Sequence, residues 1–105
     1  MSGARILLLG VAYKADIGDT RETPAEKLVE LLRKAGAEVS YHDPHVPEFD
    51  GMTSVPYEPE AYDCVAIVTA HSAIDYAEVV RRSQVVVDFR NATSGLEVEG
   101  KVWKL

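Results

Sequence analysis

The chain has 105 residues, a length that suits one domain. Hydrophobic residues make up 47% and charged residues 27%, enough apolar surface to offset the entropy of ordering, so extended disorder is excluded. Eleven Lys plus Arg stand against 17 Asp plus Glu, a net charge of −6. That balance argues against a nucleic-acid binder, whose affinity comes largely from neutralising phosphates. A small anion needs just one or two well-placed cations and stays open as a ligand.

The longest apolar run, from Cys64 to Val68, is strand-sized against the ~18 residues of a membrane span. The run before Gly10 is too short for a signal peptide. A single cysteine, Cys64, excludes an internal disulfide and a cysteine-based zinc site. The expectation is one cytoplasmic domain over residues 1–105, without nucleic-acid or membrane partners.

In chain order, Arg5 to Leu9 reads as a strand covered on both faces, ended by Gly10. A long loop follows to Thr23. Thr23-Pro24-Ala25-Glu26 is a helix start: Thr23 can cap, Pro24 suits the first position, and Glu26 can complete a capping box. Leu28, Leu31, Leu32 and Ala35 then share one helical face. Arg33 and Lys34 favour the last turn, and Gly36 supplies the left-handed stop. Ala37 to Tyr41 is a second strand, with Val39 and Tyr41 on one side, closed by Asp43-Pro44 and Pro47.

Glu48 to Asp63 is irregular, with Met52 to Val55 as a short edge strand. Cys64 to Thr69 is a buried strand. Ser72 starts a second helix with Asp75 as its box partner and Ile74, Ala77 and Val80 facing inward. Gln84 to Phe89 is a further strand, and Lys101 to Trp103 a last short one.

Alternating strands and helices predict an α/β fold: a small Rossmann-like three-layer domain with a mainly parallel sheet of about five strands. Ligands bind outside the carboxyl ends of such strands, so the loops after Leu9, Tyr41, Thr69 and Asp88 are where chemistry is expected.

The loop Gly10 to Pro24 is neither GxGxxG, because Ala12 replaces the second glycine, nor GxxxxGK(S/T). It offers Lys14 soon after a strand end, Tyr13 beside it, and Arg21 further on. Lysine suits a diphosphate as a point charge, and tyrosine adds a ring and a hydroxyl. The alternative is that Lys14 is solvated while Asp19 and Arg21 pin the loop. Arg90 ends a strand on the same edge and can grip a phosphate or carboxylate bidentately; alone it reads equally as a surface ion pair.

Asp43 stands where dinucleotide-binding domains put an acid on a ribose, but the glycine fingerprint is missing and Asp-Pro also makes a turn. His42 and His45 could bracket a metal with Asp43, although a solvated turn fits their spacing better. His71 either meets a ligand or serves the next helix. Cys64 reads as a core residue rather than a nucleophile. Asp16 and Asp19 read as loop solvation, without a serine–histidine–acid arrangement beside them.

The segment GVAYKADIGDTRETPA, then YHDP, VTAHS and VVDFRN in that order, resembles the C-terminal nucleotide-sugar-binding domain of the UDP-glucose/GDP-mannose dehydrogenases. The likeness runs from about Ile6 to Trp103. Members of that family oxidise the C6 alcohol of a nucleotide sugar with NAD. The resemblance implies that Lys14, Tyr13 and Arg90 contact a UDP- or GDP-hexose, with Arg21 as loop organiser or secondary contact. It also implies that NAD and the catalytic cysteine belong to a preceding domain or a separate subunit. No catalytic residue and no cofactor is expected on this chain itself, and Cys64 does not match the nucleophile's segment. An alternative is a free-standing interaction module that docks on such a subunit.

Overall fold

The computed structural model describes residues 3–12, 23–72, 74–90, 92–95 and 102–104. Five strands form one sheet: β1 (Arg5–Leu9), β2 (Glu38–His42), β5 (Cys64–Ile67), β6 (Val86–Asp88) and β7 (Val102–Lys104). Their spatial order is β2-β1-β5-β6-β7, and every pairing is parallel.

Side-chain alternation along the strands builds two cores. Ile6 and Leu8 of β1 join Ala66 and Val68 under helix α1 (Pro24–Lys34). Leu7 and Leu9 join Val65, Ile67 and Val86 under helix α2 (Tyr76–Arg82). A strand buried on both faces must be apolar along its buried length, which is why β1 runs Ile6-Leu7-Leu8-Leu9 after the exposed Arg5. This is the expected three-layer architecture. Between β1 and β5 the chain departs toward opposite faces, to α1 from one strand and to α2 from the other. In folds of this kind ligands bind at such a divergence, outside the carboxyl ends of the strands.

The helix α1 begins as read, with the Thr23 hydroxyl accepting the N–H of Ala25 and Gly36 at φ +89° beyond its end. Its buried face differs from the expected one. Ala25 and Val29 are fully buried and Leu28 and Leu32 partly so, whereas Leu31 is 52% exposed and Ala35 lies outside. Both sets share Leu28 and Leu32 at the same helical spacing. The smaller Ala25 and Val29 let the helix sit close to the sheet.

Helix α2 starts at Tyr76, four residues later than the Ser72 start. Asp75 is itself the cap, accepting from the amides of Ala77 and Glu78. The preceding residues form a turn closed by the N–H of Ile74 on the His71 carbonyl. Val79 and Val80 supply the buried face, with Ile74 packing from outside the helix.

Met52–Thr53 (β4) does not extend the sheet. It pairs antiparallel with Glu48–Phe49 (β3) in a separate hairpin. The turn residues Asp50 and Gly51 both have positive φ, the two-residue hairpin conformation that Asp-Gly favours. Among the described residues, no helix is long and apolar enough to cross a membrane.

Candidate functional site at the carboxyl edge of the sheet

Three strand ends are sewn together at this edge. Gly10, after β1, donates its N–H to the His42 carbonyl at the end of β2. It has φ +82°, and a Cβ there would lie 2.5 Å from the Thr69 carbonyl oxygen beyond β5. The glycine therefore serves contact between neighbouring strand ends rather than close approach of a ligand.

One residue on, the backbone meets Asp43. Its Oδ2 accepts the N–H of Val11 at 2.8 Å, the N–H of Ala12 at 3.2 Å and the Nε2–H of His71 at 2.9 Å. Oδ1 accepts the N–H of His45 at 2.8 Å. Asp43 is 2% exposed and His71 fully buried. Thr69 completes the cluster by donating its hydroxyl to the Ala12 carbonyl at 2.6 Å. A carboxylate with these four donors is unavailable to a ribose, so the ribose reading of Asp43 does not fit this geometry. The turn reading does.

The histidines of the β2 loop are also engaged. His42 Nδ1 lies 2.7 Å from the Val55 carbonyl, and the His45 ring packs on His71 at 4.6 Å between centroids. His71 thus faces Asp43 and His45.

Arg90 leaves the sheet from a turn organised by Asp88. Oδ1 of that buried carboxylate accepts the N–H groups of Arg90 and Ala92, and Oδ2 accepts the N–H and hydroxyl of Thr93. Burial pushes the Asp88 carboxyl up, but the Thr93 hydroxyl and the three amides outweigh it and hold it below the ordinary carboxylate range. The exposed Arg90 lines a hollow of about 260 Å³ with Leu28, Val68 and Phe89. Leu28 and Val68 belong to the α1 core, so this hollow lies on the α1 side of the sheet.

A second hollow, of about 300 Å³, is lined by His42, Pro44, Tyr57, Ile74, Asp75 and Glu78. Its charges are acidic, and Glu78 already pairs with Arg82 at 2.9 Å. A diphosphate is better served by the Arg90 side. Cys64 is half-buried, and burial together with the Asp63 charge pushes its thiol up, away from nucleophilic character.

Tyr13, Lys14 and Arg21 lie outside the described residues. The segment that carries them is bracketed by Ala12, held by Asp43 and Thr69, and by Thr23, the buried cap of α1. Sequence reading missed Asp43 as an organiser of the edge. The available signal was an acid directly after a strand, which by itself also spells a turn.

A five-stranded parallel sheet between two helical layers, with Arg90 on a shaped turn at its carboxyl edge and the first amides after β1 satisfied from within, defines a Rossmann-like domain. The chain belongs to the UDP-glucose/GDP-mannose dehydrogenase family, UDP binding domain, whose match runs over residues 7–95.

The UDP-N-acetyl-D-mannosamine dehydrogenase of Methanococcus maripaludis strain S2 is 29% identical over 95% of this chain and 24% of its own length. The enzyme of the same name from Pyrococcus horikoshii is 34% identical over 86% of this chain and 22% of its own. A solved structure of the P. horikoshii UDP-D-ManNAc dehydrogenase superposes with a TM-score of 0.79 at 32% identity. It covers 98% of this chain and 25% of that one. A UDP-glucose dehydrogenase from Pyrobaculum islandicum gives 0.69 at 30% identity, covering 97% and 24%. The chain thus spans about a quarter of the length of the relatives it matches.

Proposed function

We propose that this chain binds the nucleotide-sugar substrate of an NAD-dependent 6-dehydrogenase, the class that oxidises a UDP- or GDP-hexose to its uronic acid. Lys14 and Arg90 would hold the diphosphate, Tyr13 would pack beside it, and Arg21 would organise the loop or make a secondary contact. The observation that carries the reading is the setting of Arg90. A buried carboxylate aims the turn from which it leaves, and the side chain lines a hollow beside α1, the helix that the Lys14 loop enters. A guanidinium with two parallel donors suits a phosphate there.

In this reading the domain holds no nicotinamide dinucleotide, which the described residues after β1 support. The amides of Val11 and Ala12, which would face a pyrophosphate in such a fold, are taken by Asp43, and Thr69 fills the space beside Gly10. In this reading NAD and the nucleophile come from another part of the parent enzyme or from a separate subunit. A cytoplasmic setting, where nucleotide sugars are made and used, belongs to the same reading.

Titrating UDP into the 105-residue chain, followed by amide NMR, tests the proposal. Half of a closed site should bind at about millimolar strength, ~4 kcal/mol. Shifts are expected at Ala12 to Lys14 and at Phe89 to Arg90, with loss of affinity in Arg90→Ala and Lys14→Ala. Shifts confined to the hairpin or to the Tyr57 hollow would refute it.

A further inference from the structure

Asp43 and His71 form an ion-capable pair with both side chains wholly withdrawn from water. Their hydrogen bonds run between strand ends, not along the sheet. We propose that Asp43, backed by His71, is a positioning residue for the nucleotide-sugar site, fixing the point from which the Tyr13–Lys14 segment departs. The inference rests on the reading of Lys14 as a diphosphate contact.

The geometry behind it is local. Ala12, the residue immediately before Tyr13, is held at both ends of its backbone: its N–H by Asp43 Oδ2 and its carbonyl by the Thr69 hydroxyl. Val11 is held by the same carboxylate oxygen. In dinucleotide-binding folds the first amides after β1 meet the phosphate of the ligand. Here an internal anion satisfies them, so the backbone of Val11 and Ala12 is set before any ligand arrives.

His71 fixes the carboxylate in turn. Its Nε2 faces an acceptor and therefore carries a proton, and this bond stops Oδ2 from rotating away from the two amides. The His45 ring packs against it, and the Tyr76 hydroxyl donates to the His71 carbonyl at 3.2 Å. The histidine is thereby held from two further elements.

A double-mutant cycle on UDP binding separates positioning from general loosening. Asp43→Asn puts an NH2 group against donor N–H groups. It is expected to weaken UDP about tenfold, roughly one charge-assisted contact. Added to Lys14→Ala it should cost less than about twofold more, because the contact it positions is already gone. Added to Arg90→Ala it should cost its full factor. Equal effects in both backgrounds would overturn the inference.

If Asp43→Asn does not fold, His71 variants carry the test. His71→Leu should lose about tenfold, and His71→Gln, whose amide can still donate to Oδ2, should stay within about twofold of the parent chain. Indistinguishable losses in the two would overturn it. The unaltered chain reports on the underlying reading: if it binds no UDP, both proposals fall. If it binds and Asp43→Asn binds as tightly, the positioning role alone falls.

Discussion

Asp88 Oδ1 accepts the backbone N–H of Arg90 at 3.0 Å, so the carboxylate that ends β6 also sets where the arginine leaves the sheet. The same side chain takes two donors from Thr93, at 2.9 and 2.7 Å. Replacing it by asparagine turns an NH2 group toward some of these donors and leaves them buried without an acceptor. Asp88→Asn should cost about 2 kcal/mol, since hydrogen bonds to charged groups contribute ~1.5–3 kcal/mol each. Urea unfolding measures the loss. UDP affinity should fall in the same variant although Arg90 is intact.

The sign of the pH dependence follows from the depressed Asp88 carboxyl. A group held lower in the folded state contributes stability that is fully present above its unfolded value, ~3.9 for aspartate. That contribution is lost as pH falls through the folded value. The stability gap between the parent chain and Asp88→Asn should therefore be constant from neutral pH to about 5 and shrink below about 4. A gap that widens on acidification contradicts this account.

Gly10→Ala should be among the costliest single-methyl additions in the chain. The new Cβ would lie 2.5 Å from the Thr69 carbonyl oxygen, and φ +82° disfavours any side chain. Together these predict a loss of about 3 kcal/mol. Gly95→Ala has a comparable φ of +80° but no atom within 4 Å, so it should cost about 1 kcal/mol through backbone strain alone. Thermal denaturation of the two variants side by side separates crowding from strain.

Cys64 should alkylate slowly. Its thiol is half-buried, and burial with the Asp63 charge pushes it up. The rate with iodoacetamide at pH 8 is expected to lie below that of a free cysteine, whose thiol ionises near ~8.5. It should rise only as pH passes well above that value. In Asp63→Asn the profile should move toward lower pH, because one of the two raising influences is removed.

Much of the architecture was legible in the chain. Ile6 to Leu9 and Val65 to Ile67 have no polar position, and that composition is stable only between two covering layers. Thr23-Pro24 and Gly36 marked both ends of α1 because capping is a local matter of one side chain and one φ angle. Where local signals competed, the reading slipped. Ser72 and Asp75 both spell a helix start, and the turn from His71 to Ile74 decided for Asp75. The hairpin at Asp50-Gly51 went unread, because each of its strands has just two residues, too few to show alternation.

At the site, sequence by itself pointed to the carboxyl edge and named Lys14 and Arg90 as candidate cations, because each follows a strand and parallel strands in this fold present their carboxyl ends on one edge. Tertiary structure decided what Asp43, His71 and Gly10 do. Their roles depend on donors 28 to 32 positions away, or on an oxygen of Thr69 in the neighbouring strand end. A turn aspartate and a buried hub are the same letter in the chain. Packing of β1 between β2 and β5 brings the three strand ends close enough for one carboxylate to serve them all.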